Sequence, residues 1–313
     1  MGSVYYACKK WLFLILIISG MATLHGTPVV QNTNLKDSSR FKLSLAQWSF
    51  HKALFAGELK HLDFAPKAAS LGFEGVEYVN AFFKDKATDF EYLKQMNEIA
   101  AKAGVRQVLI MIDGEGNLAD SVNTVRETAI QNHKKWVDAA AFLGCHSIRV
   151  NLFGEGSAEN VAEAAAMSLK ALAGYAAGKK INIIVENHGG YSSNGAWLSG
   201  VMKKVNLSNC GTLPDFGNFC MKRAGGGYWG SACVEEYDKY KGVEELMPFA
   251  KAVSAKSNNF DDKGVESDID YKRMMQIVKD SSYSGFIGVE YEGEKIGEEQ
   301  GIKLTRDLLK SLF

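Results

Sequence analysis

The feature that most constrains the fold is a regular alternation of short apolar runs and longer helical patterns, which starts at Phe41. The apolar runs are rich in β-branched residues, as is typical of buried strands. We place these strands at residues 41–48, 75–78, 105–112, 147–152, 181–186, 211–215, 252–256 and 286–290. The helical patterns occupy residues 63–71, 90–103, 122–143, 160–177, 195–205, a stretch ending at 250, 271–280 and 301–312. Eight such alternations predict a closed parallel α/β barrel.

A doubly wound open sheet is the alternative architecture. That fold usually carries a glycine-rich phosphate-binding turn after its first strand. Here the corresponding residues are Trp48, Ser49, Phe50 and His51, none of which is glycine. The sequence therefore favours a (β/α)8 TIM barrel, in which functional groups lie at the C-terminal ends of the strands.

The N-terminal residues are predicted to precede the folded domain. Lys9 and Lys10 come before an apolar run at residues 11–18, and small residues follow it up to Ala22. This pattern predicts a signal peptide at residues 1–22, with an uncleaved anchor as the alternative. We assign residues 23–40 to a linker and residues 41–313 to the barrel domain. We therefore expect a protein exported to the periplasm or secreted.

The net charge bears on the class of partner, and the cysteines bear on disulfide formation. The formal net charge of the full sequence is +0, so the chain has on average no strong electrostatic footprint for nucleic acid or an anionic membrane, with a local basic groove as the alternative. We expect no membrane partner after removal of the signal. Four cysteines remain after residue 22, and Cys220 and Cys233 flank a glycine-rich loop. In an oxidising compartment these two can form a disulfide, although buried free thiols throughout are an equal alternative.

Three carboxylates stand at the tips of predicted strands. Glu186 ends the fifth strand, Asp215 the sixth and Glu290 the eighth, so all three should converge at the barrel mouth. Hard divalent cations prefer such oxygen ligands, and the trio predicts a Mn²⁺ or Mg²⁺ site. Taken singly, each carboxylate could equally cap a helix or pair with a lysine.

Further polar and aromatic residues follow the predicted strands. Lys256 could hold a substrate oxygen or pair with a site carboxylate, and Arg149 could balance core charge. Trp229, in a loop with three consecutive glycines, suggests a flap with a flat platform for a sugar. The complete set of candidate substrate-binding residues is His188, His51, Lys256, Glu77, Asn151 and Trp229.

These motifs together resemble the sugar phosphate isomerase and epimerase barrels, also called xylose isomerase-like TIM barrels, and suggest a secreted bacterial member. The resemblance is carried by residues 72–77, 185–188, 214–218 and 288–292. It implies a divalent metal, most often Mn²⁺ with Mg²⁺ or Zn²⁺ as alternatives, held by Glu186, Asp215 and Glu290. Ser254 stands where the family places an imidazole. The resemblance also suggests a homo-oligomer as an option.

The resemblance implies a sugar isomerase or epimerase. Its chemistry removes a proton next to a carbonyl, forms an enediolate and returns the proton, with Glu186 and Glu290 as the catalytic pair. A lyase or hydratase acting on 3-keto sugars or 3-keto glycosides uses the same enolate chemistry and is the second reading. A non-catalytic sugar-binding barrel is the third. An endonuclease IV-like activity needs a histidine-rich zinc cluster, which six histidines in these positions do not favour.

Overall fold

The strands of the chain follow the predicted alternation closely. The computed structural model describes Gly2 and residues 40–313, so the predicted signal peptide apart from Gly2 and all of the linker except Arg40 lie outside the described residues. The strands are β1 Phe41–Ala46, β2 Gly75–Val79, β3 Arg106–Met111, β4 Ser147–Val150, β5 Asn182–Glu186, β6 Cys210–Leu213, β7 Cys220–Arg223, β8 Cys233–Glu236, β9 Val253–Ser257 and β10 Gly285–Tyr291.

Eight of these strands form one parallel sheet that nearly closes into a barrel. Their order is β6, β5, β4, β3, β2, β1, β10, β9. The two outer strands approach each other through the parallel bridge between Asp215 and Ser254. There the Phe216 N–H donates to the Ser254 carbonyl at 3.1 Å, and the Ser254 N–H donates to the Pro214 carbonyl at 2.9 Å. The predicted barrel is confirmed.

Helices connect the strands and cover the outside of the sheet. They are α1 His51–Phe55, α2 Phe64–Ser70, α3 Phe90–Ala103, α4 Asn123–Leu143, α5 Ala158–Ala177, α6 Gly195–Val205, α7 Lys239–Leu246, α8 Tyr271–Asp280 and α9 Glu298–Leu312. Side-chain oxygens cap several of them, as when Asp270 accepts the Arg273 N–H at the start of α8. Among the described residues, no helix combines the length and apolarity needed to cross a membrane.

The buried core has two parts because successive strand residues face opposite sides of the sheet. Along β5, Ile183 and Val185 belong to the larger cluster, which also contains the buried faces of the helices. Ile184 belongs to a smaller cluster that includes Leu109, Met111 and Leu213. This second cluster fills the middle of the barrel, which leaves room for a ligand at the ends of the barrel.

A two-stranded antiparallel hairpin, formed by β7 and β8, rises from the segment after β6. The sequence prediction placed a flap here but did not predict its strands. A disulfide joins Cys220 of β7 to Cys233 of β8, which is one of the two alternatives that the sequence left open. Cys145 and Cys210 are buried free thiols. The hairpin loop between the two cysteines carries Trp229.

Candidate active site

Three buried carboxylates meet at the C-terminal end of the barrel. Glu186 ends β5, Asp215 follows β6, and Glu290 lies near the end of β10. One oxygen from each lies within 4.8 Å of the others. The exposed fractions of Glu186, Asp215 and Glu290 are 2%, 0% and 4%, so all three are shielded from bulk water. The predicted convergence of these three residues is present in the fold, and we call them the acidic triad.

Asp215 is held rigidly by both its backbone and its side chain. The Gly217 and Asn218 N–H groups each donate to its Oδ1 at 2.9 Å. The hydroxyl of Ser254, on β9, donates to its Oδ2 at 2.6 Å. The Asn187 side chain accepts the Asp215 N–H at 2.8 Å and donates to its carbonyl at 3.0 Å. A single orientation of this carboxylate is therefore fixed without help from a ligand.

Glu186 is paired with a buried arginine. Arg149 Nε, on β4, lies 2.9 Å from Glu186 Oε2. That N–H is not aligned with the oxygen, so the contact is an ion pair rather than a linear hydrogen bond. The Asn218 amide donates to Glu186 Oε1 at 2.8 Å. The sequence suggested that Arg149 could balance core charge, and Glu186 is one of the two carboxylates with which it pairs; the other is Asp113, at 2.8 Å.

Lys256 lies on the other side of the acidic triad. Its Nζ is 3.3 Å from Glu290 Oε2 and 3.2 Å from Glu292 Oε1. It also donates to Asn218 Oδ1 at 3.3 Å. Asn218 thus contacts both Glu186 and Lys256. The sequence gave Asn218 no role of its own, although its position directly after the sixth strand tip was a usable signal.

The electrostatics of the acidic triad oppose full ionisation. Burial raises the pKa of all three carboxyls. Arg149 lowers the pKa of Glu186, and Lys256 lowers those of Asp215 and Glu290, but neighbouring carboxylates raise them again. A further positive charge would therefore be stabilised at this place.

The donor set of the acidic triad fits a hard divalent cation. Carboxylate oxygens bind Mg²⁺ and Ca²⁺ at about 2.0–2.6 Å, so two ligands of one ion lie roughly 5 Å apart or less. The separation of at most 4.8 Å in the triad meets that condition. The buried acidic triad could therefore hold a divalent metal.

A cavity of about 540 Å³ lies above the acidic triad. Glu290 is one of its lining residues, whereas Glu186 and Asp215 are not. Its lining residues are Trp48, Phe55, Val79, Ala81, Asp113, Gly114, Arg149, Asn151, Phe153, His188, Asn218, Trp229, Lys256, Glu290 and Glu292. Four of the six candidate substrate-binding residues are among them: Lys256, Asn151, His188 and Trp229.

A hydrogen-bonded network orients His188 in this cavity. Its Nδ1 lies 2.8 Å from Asn151 Oδ1, an acceptor, so we assign the proton to Nδ1. The Asn151 amide donates to Asp113 Oδ1 at 2.7 Å, and Arg149 Nη1 donates to the same oxygen at 2.8 Å. Burial, together with the charges of Arg149 and Lys256, lowers the pKa of His188 well below its usual range. His188 is therefore a neutral imidazole with Nε2 free of the proton.

Aromatic rings form two walls of the cavity. On one side, the Trp229 ring lies 4.3 Å from the His188 ring, and Tyr228 lies 4.3 Å from Phe153. On the other side stands a rim cluster of three rings, with centroid separations between 5.1 and 6.1 Å; its members are Trp48, Phe55 and Phe82. The sequence pattern indicated the first wall through Trp229 but not this rim cluster, whose members come from two segments of the chain, residues 48–55 and 80–86.

The remaining two candidate substrate-binding residues lie outside the cavity lining. His51 Nδ1 is 2.8 Å from the Trp48 carbonyl, and its ring stacks on Trp48 at 5.0 Å, so it supports that indole. Glu77 is fully buried inside the barrel and accepts a hydrogen bond from the Ser44 hydroxyl at 2.6 Å. Its placement does not favour hydroxyl recognition, because no part of its side chain is accessible.

Comparison with known proteins places this geometry in a wider context. The family model described as xylose isomerase-like TIM barrel matches residues 65–312. None of the curated proteins matches the chain significantly in sequence. Several solved structures resemble the fold.

Three of those structures illustrate the range. D-psicose 3-epimerase with D-tagatose from Clostridium cellulolyticum H10 has a TM-score of 0.66 and 12% identity over 87% of this chain and 99% of that one. The 3-keto-D-glucoside 4-epimerase from E. coli has a TM-score of 0.63 and 11% identity over 87% and 99%. A probable 3-DHS dehydratase from Bacillus anthracis has a TM-score of 0.63 and 16% identity over 86% and 98%. At these identities the likeness shows the fold alone.

Proposed function

This chain belongs to the xylose isomerase-like TIM barrel family, and on that premise we propose that it is a sugar isomerase or epimerase. The observation that carries the proposal is the pair of buried carboxylates Glu186 and Glu290. One oxygen of Glu186, one of Glu290 and one of Asp215 all lie within 4.8 Å of one another. Glu290 lines the cavity and Glu186 lies next to it. Two such groups can remove a proton next to a carbonyl and return it, through an enediolate.

The environment of the two glutamates supports that role. Burial raises the pKa of both, towards the range in which a carboxyl group exchanges protons near neutral pH. Arg149 faces Glu186, whereas Lys256 faces Glu290. The two carboxylates therefore differ in their cationic partner, which is the kind of asymmetry that lets one act as base while the other acts as acid.

We propose that Glu186, Asp215 and Glu290 hold a divalent ion, with Mn²⁺ as the expected species. When bound, the ion supplies a Lewis acid for the carbonyl and the neighbouring hydroxyl of the sugar. Other residues that line the cavity would contact the sugar directly. Lys256 presents an ammonium group to an oxygen that gains charge, and Asn151 and His188 offer polar groups to hydroxyls. Trp229 provides a ring face for the C–H side of a sugar.

A lyase or hydratase acting on 3-keto sugars or 3-keto glycosides is the second candidate. The neutral imidazole of His188 favours it, because in the hydration direction its unprotonated Nε2 can accept a proton from the water that adds to the double bond. The structural likeness to a probable dehydratase is in keeping with this reading. In the elimination direction, the proton removed next to the carbonyl is not returned to the sugar, and a C–O bond breaks.

Product analysis separates the two candidates. Purified protein with Mn²⁺ is incubated in D2O with D-tagatose, D-fructose and a 3-keto glucoside, and products are followed by NMR. A new epimer or isomer that carries deuterium at the reacting carbon supports the isomerase proposal. An unsaturated sugar with release of the aglycone supports the lyase. No change in any sugar contradicts both.

We also propose that the protein is exported. The Cys220–Cys233 disulfide supports this, because disulfides persist in oxidising compartments and are rare in the cytosol. Trapping the thiols immediately on cell lysis tests it: these two cysteines are expected to resist alkylation until a reductant is added. Complete alkylation without reductant would contradict export.

A further inference from the structure

Lys256 is a buried cation that is built into the acidic triad. Its side chain is 4% exposed. Its Nζ donates to Glu292 Oε1 and Asn218 Oδ1 at 3.2 and 3.3 Å, and it forms an ion pair with Glu290 Oε2 at 3.3 Å. Because Glu290 is also a member of the acidic triad, the ammonium group shares an oxygen with the expected metal ligands.

The surrounding backbone is shaped to hold this lysine. A β-carbon on Gly217 would lie 3.1 Å from Lys256 Cδ and 3.2 Å from its Cγ. Any side chain at Gly217 would therefore press on the aliphatic stem of Lys256. The absence of a side chain there gives the stem a fixed path past the tip of β6 to the triad.

Ser254 lies on the same face of β9 as Lys256 and also contacts the acidic triad. Residues 254 and 256 alternate to the same side of β9. The Ser254 hydroxyl donates to Asp215 Oδ2 at 2.6 Å and lies 3.3 Å from Glu290 Oε2. It adds no charge. The positive charge on this side of the acidic triad comes from Lys256 alone among the described residues that contact Glu290.

We propose that Lys256 is a resident cation of the acidic triad, which competes with a divalent ion for Glu290 and thereby weakens the affinity of the site for metal. An incoming ion must displace the ammonium group from Glu290 Oε2 or bind beside it. Repulsion between two cations a few ångströms apart in a buried site is strong. This inference rests on the proposed metal site but not on the proposed reaction.

A second consequence concerns the metal-free protein. Three clustered carboxylates without a compensating charge would destabilise the fold, since a buried unpaired charge is costly. Lys256 and Arg149 supply that compensation. The wild-type protein should therefore stay folded after a chelator removes the metal, whereas a variant without the ammonium group should depend on the ion.

The test is a direct measurement of Mn²⁺ affinity by titration calorimetry on the chelator-treated full-length mature protein. Lys256→Met is expected to bind Mn²⁺ about tenfold or more tightly than wild type. Lys251→Met is the matched control: it removes the same charge from a residue in a cavity at the opposite end of the barrel. Its affinity should equal that of wild type.

Equal or weaker Mn²⁺ binding by Lys256→Met would overturn the inference, as would the absence of binding in both proteins. Binding by Lys256→Met alone would support it. A thermal melt adds a second measurement: EDTA should lower the Tm of Lys256→Met but leave that of wild type nearly unchanged. An equal response of the two proteins to EDTA would count against the proposal.

A charge-balanced pair of variants covers the case in which Lys256→Met does not fold. Glu292→Gln removes one partner of the lysine, and the double variant Glu292→Gln with Lys256→Met restores the original balance. The double variant is expected to bind Mn²⁺ more tightly than Glu292→Gln alone, and no difference would overturn the proposal. If the wild-type protein showed no deuterium exchange, that result would count against the proposed reaction but would not affect these comparisons of Mn²⁺ affinity.

Discussion

A β-carbon placed on Gly288 would lie 2.6 Å from each carboxylate oxygen of Glu77. Gly288 lies on β10, two residues before Glu290, and Glu77 lies on β2 inside the barrel. The buried carboxyl group therefore occupies the space that a side chain at residue 288 would need. This contact connects the barrel interior to the strand that carries one of the proposed catalytic residues.

We predict that Gly288→Ala destabilises the protein. The added methyl group must displace the Glu77 carboxyl or shift β10, and overpacking of this kind costs about 1–3 kcal/mol. Urea unfolding measures the change. Gly200→Ala on α6 is the control, because no atom outside the adjacent backbone of its own helix lies within 4 Å of the added carbon. That control should be neutral or slightly stabilising, and an equal loss in the two variants would contradict the account.

Glu77 should make stability depend on pH. Burial raises the pKa of this carboxyl group from its ordinary value of 4.5 to about 7. Between pH 4.5 and 7, Glu77 therefore keeps its proton in the folded protein but has released it in the unfolded chain. The stabilisation from Glu77 is complete below pH 4.5 and is lost as the pH rises through 7, with an upper size of about 3 kcal/mol.

The Glu77→Gln variant tests this dependence, because its amide does not titrate. The free energy of unfolding of wild type minus that of the variant should fall between pH 4.5 and 7 and level off above. Urea titrations at half-unit intervals measure it. A difference that stays constant over this range would contradict the assigned pKa.

Arg149→Met should destabilise the protein strongly. The substitution leaves Glu186 buried without its ion pair at 2.9 Å and removes the partner of Asp113 at 2.8 Å. Breaking a buried pair by removing one member costs about 3–5 kcal/mol. Lys204→Met, which breaks an exposed ion pair with Glu163, should have no measurable effect on unfolding by urea. Similar losses in both variants would contradict the structural role of Arg149.

Trp229→Ala should weaken substrate binding with little effect on stability. The ring is 48% exposed and lies 4.3 Å from the His188 ring in the cavity. Loss of one stacking surface should raise KM roughly tenfold, equivalent to about 1.4 kcal/mol. Steady-state kinetics and a thermal melt test both parts. Met167→Ala, at an exposed residue of α5, should change neither, and an unchanged KM in Trp229→Ala would exclude a sugar platform there.

The repeating pattern was sufficient to predict the barrel because each strand is buried on both faces and reads as an apolar run. The triad followed from the same pattern, since Glu186, Asp215 and Glu290 each stand where such a run ends. The hairpin strands were missed because they are short and polar, and one of them, β8, is exposed along its whole length. Helix α1 was missed because its five residues are too few to show a helical period.

Depth within the barrel could not be predicted from the pattern. Alternation places Glu77 on an inward-facing position, but its full burial depends on Gly288, which is far away in sequence. The position of the Lys256 ammonium likewise depends on Gly217 and on acceptors from two other strands. Such contacts arise from tertiary packing. Period and spacing do not encode them.

The central claim is proton transfer next to a carbonyl by Glu186 and Glu290. The most direct measurement is the rate of deuterium incorporation from D2O at the reacting carbon of a ketose or 3-keto glucoside, for wild type, Glu186→Gln and Glu290→Gln. The account predicts exchange in wild type and loss of at least about a hundredfold in each variant. Exchange that continues unchanged in both folded variants would contradict it.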